Sequence, residues 1–213
     1  MAFDFVEAKE SACVDHPPAP DSVLPVHLDL TNTLILMACS GKKKPLAPGA
    51  VMPLIDLYDG PMWQSLRTHL AGRSAHVVVL SGRYGFTSAY CHLPTYEAKL
   101  TTQKADHLIA RGLDGKQDRF GELKQVLDTS PLCAMIRPGS AMRSNPDRAW
   151  AGVIAAGGGE YRRVFEFMID AMRESGDIDA DAPVFMTRGG IGEQRSQLGL
   201  WIAWLGCMEL RNR

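Results

Sequence analysis

Three lysines in a row, Lys42, Lys43 and Lys44, follow an apolar run and a small turn in "TLILMACSGKKKP". Cations at the end of a buried strand suit a phosphate, and Ser40 and Gly41 in the same turn add a hydroxyl and a bare backbone. A solvated lysine turn would read the same way, so both readings stand. Pro45 narrows the conformations open to Lys44. Carboxylates sit in three other short segments: Asp56 in "DLYDG", Glu97 in "PTYEAKL", and Glu193, followed by Gln194, in "GIGEQ". A carboxylate in a glycine turn at a strand end is a candidate for acid–base work or for steadying a cation. "LSGRYG" adds Ser81, Arg83 and Tyr84. The rings of Tyr58, Tyr84 and Tyr96 either stack on a base or sugar or pack against the edge of a sheet.

These residues need a scaffold, and four apolar β-rich runs supply it: 33–39, 76–82, 150–157 and 183–187. None alternates polar with apolar residues, which is how a strand covered on both faces reads. Helical patterns lie between them, in "MWQSLRTHLAG", "KADHLIARGL", "DRFGELKQVLD" and "EYRRVFEFMIDAMRESG". A last one places Leu198, Trp201, Ile202 and Leu205 on one face. The expected fold is α/β: a mostly parallel sheet of about four core strands with helices on both faces. Each strand ends in a glycine-bearing turn, "CSGKKK", "SGRYG", "GGGEY" or "RGGIGEQ". In an open parallel sheet such turns share one edge, where ligands bind. Lys43, Ser81, Glu160 and Glu193 are therefore expected around one cleft. Residues 1–31, with Pro17, Pro18, Pro20 and Pro25, read as an irregular extension, and residues 32–213 as a single domain.

The chain has 213 residues, 23 Lys and Arg against 24 Asp and Glu, and a net charge of -1. No global attraction to a polyanion follows, so nucleic acid would have to be held by a local basic patch. "RPGSAMRSNPDR" (137–148) is more simply an exposed loop than a basic arm. Five cysteines at wide spacing, with no CxxC pair, predict free thiols in a reducing compartment and no metal site. No P-loop is present, and "GGGEY" does not fit the dinucleotide fingerprint, so no cofactor is expected. No run is long enough for a membrane span, and the acidic N-terminus does not read as a secretory signal. The expected location is the cytoplasm, and nothing calls for an obligate protein partner.

In this order, "ACSGKKK", "DLYDGPMW", "VVVLSGRYG" and "LPTYEAKL" resemble the turns of the YaaA peroxide-stress family and its smaller relatives. "AAGGGEYRRVF" and "GGIGEQ" resemble the later turns of those relatives, so the likeness covers roughly residues 33–200. "CSGKKKP" is also similar to a signature of archaeosine synthase, which acts on a modified base in tRNA. What the resemblance implies is work on DNA or nucleotides. Relatives include a small antiviral glycosylase that removes glucosylated hydroxymethylcytosine from phage DNA.

Two functions follow as expectations. One is a DNA N-glycosylase that removes a modified base, with Asp56, Glu97 and Glu193 as its carboxylates. Ser40, Lys42, Lys43, Ser81 and Arg83 would then hold phosphate, and Tyr58, Tyr84, Tyr96 and Gln194 would meet the nucleotide. Such an enzyme turns its base out of the stack. The other is a DNA-binding stress protein without catalysis. A role on tRNA is a weaker third.

Overall fold

Residues 28–111 and 149–211 are described in the computed structural model of the protein. The elements run β1 (Thr33–Ala38), β2 (Met52–Pro53), α1 (Leu54–Leu57), α2 (Pro61–Leu70), β3 (His76–Ser81), β4 (Gly85–Ser88) and β5 (His92–Leu93). After these come α3 (Thr102–Arg111), β6 (Gly152–Ala156), α4 (Glu160–Glu174), β7 (Val184–Met186) and α5 (Ile191–Arg211). The helix expected in "DRFGELKQVLD", the arginine loop and nearly all of the N-terminal extension lie outside the described residues.

The main sheet has the order β4-β3-β1-β6-β7. Its four inner pairings include three parallel ones, Leu34 opposite His76, Leu34 opposite Val153, and Val153 opposite Val184. The four apolar runs of the sequence are these parallel strands. The fifth strand, β4, is antiparallel to β3 and returns from it directly, with Ser81 opposite Gly85. Its sequence "GFTS" is too short and mixed to announce a strand, so "SGRYG" is a hairpin turn and not a passage into a helix. Gly85 has φ +68°, a conformation open to glycine at little cost. A second, two-stranded sheet pairs β2 with β5.

Alternate residues of each strand feed opposite faces, as the pleat requires. Ile35, Met37, Val77, Val79 and Ile154 pack with Trp63, Leu66, Leu198, Trp201 and Ile202 from α2 and α5. Leu34, Leu36, Val78, Val153 and Ala155 pack with Phe165, Met168 and Met172 from α4, and Ala105 of α3 joins that face. Helices thus cover both faces, which is why the strands read as continuous apolar runs. Leu28 and Leu30 are fully buried in the first of these cores. The packed domain therefore begins before residue 32, inside what the prolines suggested was an extension.

β1 is central. The chain leaves it for β3 on one side, and later enters β6 on its other side. Such a reversal opens a crevice at the carboxyl ends of the two strands. Because β1, β3, β6 and β7 run parallel, all four glycine turns lie on one edge of the sheet.

Candidate active site at the carboxyl edge

The turn after β1 is tied to "DLYDG" along its whole length. Lys43 and Tyr58 form an antiparallel bridge. Lys44 N–H donates to the Leu57 carbonyl at 2.8 Å, and Asp59 N–H donates to the Lys42 carbonyl at 2.9 Å. Ser40 lies against Gly60, where a Cβ would collide with its Oγ. That Oγ also accepts the Lys42 N–H at 3.2 Å. Two segments that looked separate in the sequence are therefore one unit.

The three lysines part company here. Lys42 is exposed, with its Nζ 2.9 Å from Asp59 Oδ2. Arg67 braces the same unit, donating to the Ile55 and Tyr58 carbonyls at 2.6 and 2.7 Å. Lys42 and its bond to Asp59, with help from Gln64, hold the Asp59 carboxyl below its ordinary range. Lys43 points inward, and only 5% of its side chain is exposed. Its ammonium lies 4.4 Å from the centre of the Tyr96 ring and 5.9 Å from that of Tyr58. Among the described residues its nearest anionic oxygen is Glu97 Oε1, at 3.9 Å. That is beyond hydrogen-bond reach.

Beneath Lys43 lies a buried cluster of hydroxyls. Ser81 Oγ accepts the backbone N–H groups of Arg83 and Tyr84, both at 3.1 Å. Those bonds occupy both of its lone pairs. Its own proton therefore goes to Tyr96 Oη, 2.8 Å away. Tyr96 and Tyr58 share a further hydrogen bond. The cluster reaches Cys39, just past the end of β1, whose Sγ is 3.1 Å from Tyr161 Oη. Tyr161 also accepts the Leu100 N–H at 3.3 Å. Burial, with the neighbouring groups adding to it, pushes the Tyr58 phenol far up, and burial likewise raises Tyr96 and Tyr161. All three stay neutral hydrogen-bond donors at physiological pH.

The remaining predicted residues divide. Tyr58, Tyr84 and Tyr96 are buried. Tyr84 and Tyr96 meet edge to face at 4.9 Å, so these rings pack against the sheet edge and offer no open face for stacking. Arg83 lies over the Tyr84 ring at 5.7 Å, and its Nε is buried without a hydrogen-bond partner. Asp56, on the one-turn helix α1, is half-buried between the inward-facing Leu54 and Leu57. Glu97 is 90% exposed. Glu193 caps its own helix, accepting the Gly190 N–H at 2.8 Å. Gln194 braces the end of β7 through the Thr187 hydroxyl at 3.2 Å and the Gly189 carbonyl at 2.8 Å. Glu160 pairs with Arg163 at 2.8 Å and accepts from Thr102 at 3.1 Å. Lys43 and Ser81 thus converge on one cluster. Glu160 and Glu193 share the sheet edge with them but are engaged in bonds of their own.

Sequence reasoning passed over Cys39 and Tyr161. Each was visible beside a glycine turn, but only the strand order β3-β1-β6 brings the two turns together. Among the described residues, no group of three or more His, Cys, Asp or Glu side chains is placed to hold a metal ion. No described helix is long and apolar enough to cross a membrane.

The fold and the edge together define the class: an open, mostly parallel α/β sheet with a buried hydroxyl cluster and two paired lysines at its switch point. No protein-family model, curated protein or solved structure matches the chain.

Proposed function

We propose that this edge takes one nucleotide of DNA and breaks the bond between a modified base and its sugar. The observation that carries the reading is the Lys43–Glu97 pair. A nearly buried ammonium on an aromatic wall stands 3.9 Å from an exposed carboxylate, at the carboxyl ends of the strands. Breaking an N-glycosidic bond builds positive charge on the sugar, and a carboxylate beside that sugar steadies it. With Glu97 in solvent and the two charges beyond hydrogen-bond reach, the pair by itself contributes at most ~1 kcal/mol. Covered by a nucleotide, the same charges act through a lower dielectric and matter several times more. Of the three carboxylates named from the sequence, Glu97 fits this role best, because Glu193 is committed to its helix. Lys42, exposed at the rim, would meet a flanking phosphate.

The resemblance of the turns to the YaaA family and its smaller relatives, among them a glycosylase that acts on hypermodified phage DNA, supports this substrate class, with antiviral defence as the setting. The test is product analysis. The protein is incubated with plain and with hypermodified phage DNA, and released bases and alkali-labile abasic sites are measured. Base release confined to modified DNA is expected. Retention on DNA with no base released would favour a non-enzymatic DNA-binding protein instead.

A further inference from the structure

We infer that Lys43 is an amine nucleophile, and that the protein forms an imine with the sugar it attacks; this rests on the N-glycosylase reading above. The two lysines of the turn differ in a way that separates grip from attack. Lys42 is two-thirds exposed and already neutralised by Asp59. Lys43 is held by the backbone bridge to Tyr58 and by two rings that strip water from it. A lysine that only grips phosphate gains from a hydrated, mobile head. One that attacks carbon gains from a fixed, water-poor position and a base nearby. The exposed Glu97 carboxylate, 3.9 Å from the ammonium, supplies that base. No anionic oxygen among the described residues lies closer, so no ion pair at hydrogen-bond distance holds the ammonium.

Glu97 accepts a proton from the ammonium. The freed Nζ lone pair bonds to C1′, and the C1′–N bond breaks with its electron pair leaving on the base. Glu97 hands its proton to that base and is anionic again beside the sugar. It then takes a second proton from Nζ, whose lone pair opens the C1′–O4′ bond, and passes that proton to O4′. A protonated C1′=Nζ imine remains. Loss of a C2′ proton to water then breaks the C3′–O bond, expels the 3′ phosphate and cuts the strand. On DNA that already lacks the base, Nζ adds to the C1′ aldehyde and water leaves, giving the same imine.

That second route gives a test that does not depend on knowing the base. The full chain is incubated with a duplex bearing one abasic site in the presence of borohydride, which reduces C=N to a stable amine. Peptide mass mapping should place the adduct on Lys43. Lys43→Arg, which keeps the charge, should abolish it, while Lys99→Ala, at an exposed lysine outside the site, should retain it. The mapping on the unaltered protein stands even if the arginine variant fails to fold. An adduct on Lys42 or the N-terminal amine, or none at all, would overturn the inference. Base release without an adduct would leave the glycosylase reading standing with water as the attacking group. An adduct without base release from any modified DNA would sink that reading and leave an abasic-site lyase.

Discussion

Alkali offers a direct test of the buried phenol cluster. The chain has five tyrosines, and burial raises every one of them above the ordinary value of 10.0. The unfolded chain ionises them near pH 10, whereas the folded chain keeps Tyr58, Tyr96 and Tyr161 protonated well above it. Their contribution to stability is therefore intact below pH 10 and is lost as pH rises above it. Each phenol that ionises only on unfolding removes about 1.4 kcal/mol at pH 11 and about 2.7 kcal/mol at pH 12. Tyr58 and Tyr96, the two most enclosed members of the cluster, together remove about 5.5 kcal/mol at pH 12. That equals the whole stability of a weakly stable domain, roughly 5–15 kcal/mol. The assay follows phenolate absorbance and circular dichroism together through an alkaline titration. Phenolate should appear late and in one cooperative step with loss of helix signal. Three or more tyrosines ionising near pH 10 with the circular dichroism unchanged would refute the cluster as described.

Three further outcomes are expected. Ser81→Ala strands two backbone N–H groups and a buried phenol, so it should cost about 2–3 kcal/mol and lower the melting temperature by roughly 5–10 °C; an unchanged melting curve would contradict the hydrogen-bond assignment. Glu193→Ala should cost about 1 kcal/mol through the lost helix cap and leave base release unaltered, whereas a large kinetic loss would return Glu193 to the catalytic set. The lowered Asp59 carboxyl contributes stability that is present above its ordinary value of 3.8 and is lost as pH falls through the depressed one. The unaltered protein should therefore lose stability more steeply than Asp59→Asn in acid titrations below that value, and parallel curves would count against the Lys42–Asp59 bond.

The parallel core was legible because strands covered on both faces leave an unbroken apolar signature, as "HVVVLS" does. β4 was not, because an edge strand of four residues carries no such signature and its pairing is fixed by the hairpin geometry at Gly85. The grouping of glycine turns on one edge followed from parallelism alone. What each side chain does there did not. Lys42 and Lys43 are adjacent and identical in type, yet the bridge to Tyr58 turns one inward and leaves the other in solvent. The tyrosines could not be sorted between stacking and packing without their burial, which follows from the contacts between turns distant in sequence. Glu193 looked catalytic in "GIGEQ" because a capping carboxylate and a reactive one share the same glycine-rich setting.

The measurement that bears most directly on the central claim is single-turnover base release from hypermodified phage DNA by the unaltered protein, Glu97→Gln and Asp56→Asn, with DNA binding measured alongside. Glu97→Gln removes the charge and keeps the size. It should bind DNA while releasing base about 100-fold more slowly, the cost of losing one electrostatic contact to the transition state. Asp56→Asn should release base at close to the unaltered rate. Normal release by Glu97→Gln, or release abolished only by Asp56→Asn, would contradict the placement of the reaction at the Lys43–Glu97 pair.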